Sequence, residues 1–78
     1  MDTKEFLDKV EVALNQPPGS LNVQTVLREL DGWDSIGALG VIAVVDESYG
    51  VTLDADAMWR CRTVGELQEL VRSGLRTS

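Results

Sequence analysis

Residues 16–20 read Gln-Pro-Pro-Gly-Ser, and a helix cannot continue through them. Adjacent prolines remove two backbone donors and crowd the preceding turn, and the glycine after them favours a turn. The chain is thus divided early, with one element before Gln16 and all others after Ser20. Only 78 residues are available in total, so the sequence is read as one small domain, 1–78.

Before the break, Phe6, Leu7, Val10, Ala13 and Leu14 fall on one face of a helix over residues 2–15. Asp2 or Thr3 is placed to cap it, and Glu5 sits in the first turn, where the helix dipole favours an acid. Residues 21–33 carry Val23, Val26, Leu27 and Leu30 at helix-like spacing over about two turns. That run is read as a long loop with at most one helical turn. Asp31-Gly32-Trp33-Asp34 closes it with turn chemistry, and Asp34 is positioned to cap the next helix.

That helix is expected over Ser35–Tyr49, with Gly50 just past its end. Val41, Val45 and Tyr49, with Ala38 and Ile42 beside them, form its core face. Ile36, Gly40, Ala43 and Glu47 are expected on the outer face, which is unusually apolar for an acidic chain. The glycines at 37 and 40 suggest a bare stripe that another surface can approach closely. Val51-Thr52-Leu53 reads as an extended link, and Asp54 or Asp56 as the cap of a brief helix through Ala57, Met58 and Trp59. Thr63-Val64-Gly65-Glu66 has the capping-box pattern. A last helix is expected to about Arg72, with Val64, Leu67, Leu70 and Val71 inward and residues 74–78 frayed, as are residues 1–2. The fold class is therefore all-α, a small four-helix bundle of three main helices and one short one.

Composition excludes several functions. The chain has 13 acidic and 7 basic residues, a formal charge of −6, no histidine and one cysteine. No histidine base, His-containing metal site, disulfide or CxxC pair is available. A chain this short buries only about 60% of its unfolded surface, which disfavours an internal active-site cleft. The acidic balance opposes nucleic-acid phosphates and anionic membranes and favours basic protein partners. The N-terminus lacks the basic start of a signal peptide, and the longest apolar run, 41–45, falls far short of the roughly 20 residues needed to cross a bilayer. No catalytic residue, metal or membrane insertion is expected, and the cytoplasm is the expected compartment. Cys61, although flanked by Arg60 and Arg62, is read as a packed core residue. Trp33 and Trp59 are read as core or pocket-lining residues.

Ser35 is the residue placed for chemistry. At the start of a helix it is exposed, and a phosphodiester attached there meets unpaired backbone N–H groups and the positive end of the dipole. With no base to activate it, any reaction at Ser35 must be driven by another enzyme.

Residues 32–71, GWDSIGALGVIAVVDESYGVTLDADAMWRCRTVGELQELV, resemble the acyl carrier proteins. The matching features are Asp34-Ser35 followed by an aliphatic residue, the acidic turn with an aromatic (Asp46, Glu47, Tyr49), the Val51-Thr52-Leu53 link, and Thr63-Val64-Gly65-Glu66-Leu67 opening the last helix. The resemblance implies that Ser35, with Asp34 as its motif neighbour, receives 4′-phosphopantetheine from coenzyme A through a phosphopantetheinyl transferase. The thiol of that arm then carries acyl groups as thioesters. It also implies a monomer served by an acyl-loading ligase or acyltransferase and by downstream synthase or transferase enzymes. Ile36, Gly40, Ala43, Asp46 and Glu47 are the expected partner-binding residues. Ile36 replaces the family's usual leucine, and Gly37, Gly40 and Ala43 stand where acids are common. A specialised carrier is therefore expected, rather than one serving the general fatty-acid synthase. An aminoacyl carrier of the D-alanyl or peptidyl kind is an alternative, although the Gly-Gly-His-Ser of peptidyl carriers is missing. An unmodified helical interaction module is the other.

Overall fold

The computed structural model describes residues 2–77, with side chains through 75. Four helices follow one another: α1 Thr3–Ala13, α2 Ser35–Tyr49, α3 Ala55–Arg60 and α4 Val64–Thr77. A single 3₁₀ turn, Leu27–Glu29, lies in the long first connection. Among the described residues the only extended pairing is an isolated antiparallel bridge, Val26 with Thr63.

The helix ends follow local chemistry. Asp2 accepts a hydrogen bond from the Lys4 N–H, so it caps α1. Gly50, with φ of 68°, ends α2 in the left-handed region that glycine adopts without strain. At α4 the capping box is complete: Glu66 N–H donates to Thr63 Oγ1 at 3.2 Å, and Thr63 N–H donates to Glu66 Oε2 at 3.1 Å. At α3 the reading of an aspartate cap needs correcting. Asp54 occupies the cap position but makes no side-chain hydrogen bond there.

The core draws on every helix and on the loop. Phe6, Val10, Leu27, Val41, Val45, Met58, Val64, Leu67 and Val71 are fully enclosed. Three backbone bonds fasten the first loop to the start of α4: Leu27 N–H to Arg62 O, Val64 N–H to Thr25 O, and Gly65 N–H to Val23 O. Two buried polar residues add longer ties. Glu11 accepts from the Leu21 N–H at 3.1 Å, and Gln68 donates to Thr3 Oγ1 at 3.0 Å. Burying these polar groups is tolerable because each is bonded. Tyr49 is the exception. Among the described residues its hydroxyl is enclosed without a hydrogen-bond partner, and burial, then Glu5 and Asp2, push its pKa upward.

Two expectations about the last helix are corrected. It continues past Arg72 to Thr77, because Gly74 seats against Val51 and Leu75 packs on the core. Residues 74–77 are thus helical, while Met1 and Ser78 lie outside the described residues. Arg72, expected at the helix end, lies mid-helix and pairs with Glu69 at 2.9 Å.

Candidate functional site

Asp34 and Ser35 divide two tasks at the start of α2. Asp34 has extended backbone, and its Oδ1 accepts from the Gly37 N–H at 2.9 Å. Ser35 is therefore the first helical residue, not the cap. It is exposed, and among the described residues its hydroxyl makes no hydrogen bond. The first N–H groups of a helix have no intrahelical acceptor, so the ground around Ser35 is electropositive at short range. Asp34 already takes up part of that potential and places its own negative charge beside Ser35.

α2 is apolar on nearly every side, and its neighbours decide which side is core. Ala38, Val41 and Val45 are buried, as expected. Gly40, expected on the outer face, is instead half-buried against α1: a Cβ there would lie 3.2 Å from the Ala13 carbonyl oxygen. Gly37 is buried too, and a Cβ on it would collide with the Gly32 carbonyl oxygen and touch Leu14. The surface that approaches the glycine stripe is the chain's own first helix and loop. Gly40 is therefore withdrawn from the outer face.

The outer face consists of Ile36, 81% exposed, Leu39, 65% exposed, and the exposed Ala43, Asp46 and Glu47. Leu39 was missed by the sequence reading. Its signal was available, since it stands one turn from both Ile36 and Ala43.

Beside Ser35 a groove opens between α2 and α3, with a volume of about 230 Å³. Ser35, Ala38, Leu39 and Ile42 line one wall, and Ala55, Met58 and Trp59 the other. Among the described residues no charged side chain lines it. Trp59 also packs edge-on against Trp33, ring centroids 5.2 Å apart and planes at 64°. Trp59 is thus pocket-lining, as expected. Cys61 is buried, and its thiol donates to the Ala57 carbonyl at 3.6 Å. Burial, and then Glu66, push the thiol pKa up, so the flanking arginines do not activate it. Among the described residues no cluster of metal-ligating side chains forms, and no helix is long and apolar enough to cross a membrane.

These features, a free serine opening a capped helix beside an apolar groove in an acidic four-helix bundle, are those of a carrier domain. Residues 4–71 match the family described as phosphopantetheine attachment site, and the chain belongs to it. It is a non-catalytic carrier whose prosthetic group is phosphopantetheine. In fold it is similar to the solution structure of a holo acyl carrier protein from Geobacter metallireducens, with a TM-score of 0.76 and 22% identity over 99% of this chain and 90% of that one. No significant match was found among curated proteins.

Proposed function

We infer that Ser35 is the attachment residue and that the cargo is an acyl group. The observation that carries this is the division of labour at the start of α2. Asp34 makes the cap bond, which leaves the Ser35 hydroxyl exposed and unbonded at a fixed position. In the transfer, Ser35 Oγ attacks the pantetheine-bearing phosphorus of coenzyme A. A new P–O bond forms, the adenosine bisphosphate leaves, and the hydroxyl proton passes to a base of the transferase. This chain has no histidine to accept it.

The groove favours acyl over aminoacyl cargo. Its walls are Ala38, Leu39, Ile42, Ala55, Met58 and Trp59, and an ammonium entering it would lose water without gaining a partner. On a long arm, the thioester reaches each partner enzyme at high effective concentration.

Docking runs over Ile36, Leu39 and Ala43, with Asp46 and Glu47 only about 5 Å beyond Ala43 along the helix. The middle of that surface holds no acid, so partner recognition is apolar first and electrostatic second. That supports a specialised carrier with its own loading ligase or acyltransferase and downstream enzymes. It acts as a monomer in the cytoplasm, where Cys61 stays reduced.

The test is intact-mass measurement after incubation with coenzyme A and a promiscuous phosphopantetheinyl transferase. One phosphopantetheine should be added to the wild type and none to Ser35→Ala. Folded wild-type protein of unchanged mass would refute the reading.

A further inference from the structure

The wall of the groove formed by α3 is held in an uncommon way. α3 has only six residues, and its cap position contributes no side-chain bond. So short a helix has little stability of its own and is placed by what its side chains pack against. Met58 enters the core and is fully enclosed. Trp59, on the next position, does two things: it lines the groove and meets the edge of Trp33. Trp33 belongs to the turn that leads into Ser35, and its N–H donates to the Leu30 carbonyl at 3.1 Å. It takes no part in lining the groove. The ring pair therefore fastens α3 to the segment that carries Ser35, at the end where a tethered group would enter. For the groove to widen, α3 must move away from α2, and that motion separates Trp59 from Trp33.

We propose that Trp59, braced by Trp33, is the residue that sets the size of apolar cargo this carrier can lodge beside Ser35. The proposal rests on the carrier reading above and goes further by naming the limit. The groove runs from Ser35 to Ile42, about 10 Å along α2. That length is about the reach of an extended octanoyl chain, so the limit is placed near octanoyl and well short of hexadecanoyl. Longer chains leave their ends in solvent or on the partner enzyme.

The test loads wild type, Trp59→Ala, Trp59→Phe and Trp33→Ala with butyryl, octanoyl, dodecanoyl or hexadecanoyl arms, using a promiscuous transferase and the corresponding acyl-coenzyme A. Loading is verified by intact mass. The methyl resonances of Ile42 and Met58 report the groove. In wild type their shifts should grow from butyryl to octanoyl and then stop. In Trp59→Ala, which opens space where the indole stood, the shift from octanoyl to hexadecanoyl should about double. Trp59→Phe should keep the limit near octanoyl. Trp33→Ala removes the brace and leaves every lining residue in place, so it should raise the limit as well. If Trp59→Ala does not fold, Trp33→Ala decides.

Wild-type shifts that keep growing to hexadecanoyl would overturn the proposal, as would a Trp33→Ala limit unchanged from wild type. Loaded protein whose groove resonances never move would overturn it too, while leaving the carrier reading intact. Folded protein that accepts no arm would remove both.

Discussion

The two flanks of α2 are built from similar small and aliphatic residues, yet one is closed and the other open. Toward α1 and the first loop, Gly37 lets the Gly32 carbonyl approach so closely that no side chain fits between them, and Gly40 lets Ala13 come nearly as close. Toward α3, Leu39, Ile42 and Trp59 stand apart around a groove. The first flank is settled by backbone contact and resists change. The second rests on a six-residue helix held by Met58 and an aromatic pair. On the function proposed above, this asymmetry keeps Ser35 in register on the closed side of its helix and leaves room for cargo on the open one.

Substitutions on the closed flank should have the largest effects. Gly37→Ala puts a methyl into the Gly32 carbonyl, and the backbone must move. A loss of about 3 kcal/mol in denaturant unfolding is expected, against a helix-propensity gain of about 1 kcal/mol. Leu14→Ala, beneath Gly37, should cost about 3 kcal/mol. On the open flank, Leu39→Ala should change stability by no more than about 0.5 kcal/mol while weakening partner binding. Equal costs for Leu14→Ala and Leu39→Ala would break the comparison. Gly40→Ala is the finer probe. Its methyl would sit 3.2 Å from the Ala13 oxygen, so contact strain and helix propensity nearly cancel, and the net change should stay within about 1 kcal/mol.

The smallest effect concerns pH. The Cys61 thiol and the Tyr49 hydroxyl both have pKa values raised on folding, above their ordinary 9.0 and 10.0. The folded state then holds protons that the unfolded chain releases. Their contribution is complete below pH 9 and is lost as pH rises from 9 through the raised folded values. Thermal midpoints should be flat on this account from neutral pH to 9 and fall beyond it. Alkylation of Cys61 at pH 8 should be slower in native than in unfolded protein, because the thiol is buried and less of it is thiolate.

Much of this was readable in the sequence because it depends on near neighbours. The Asp34 cap, the Thr63–Glu66 box, the Gly50 stop and the core positions of α1 all follow from residues within a turn or two of each other. What escaped depends on contacts between distant segments. A helix apolar on nearly every side carries no pattern to say which side meets the chain, so the sequence places Gly40 on the outer face although α1 covers it. Glu11 is buried because the Leu21 N–H of the first loop needs an acceptor, a demand invisible in α1 itself. The end of α4 depends on Val51 seating against Gly74, and the Trp33–Trp59 pair exists only once α3 folds back over α2.

The asymmetry of α2 is tested most directly by comparing amide and methyl resonances of the apo and octanoyl-loaded protein. The account predicts shifts at Ser35, Leu39, Ile42, Met58 and Trp59, with Ala13, Leu14, Gly37 and Gly40 nearly unmoved. Shifts centred on the α1 side, with the α3 side silent, would contradict it.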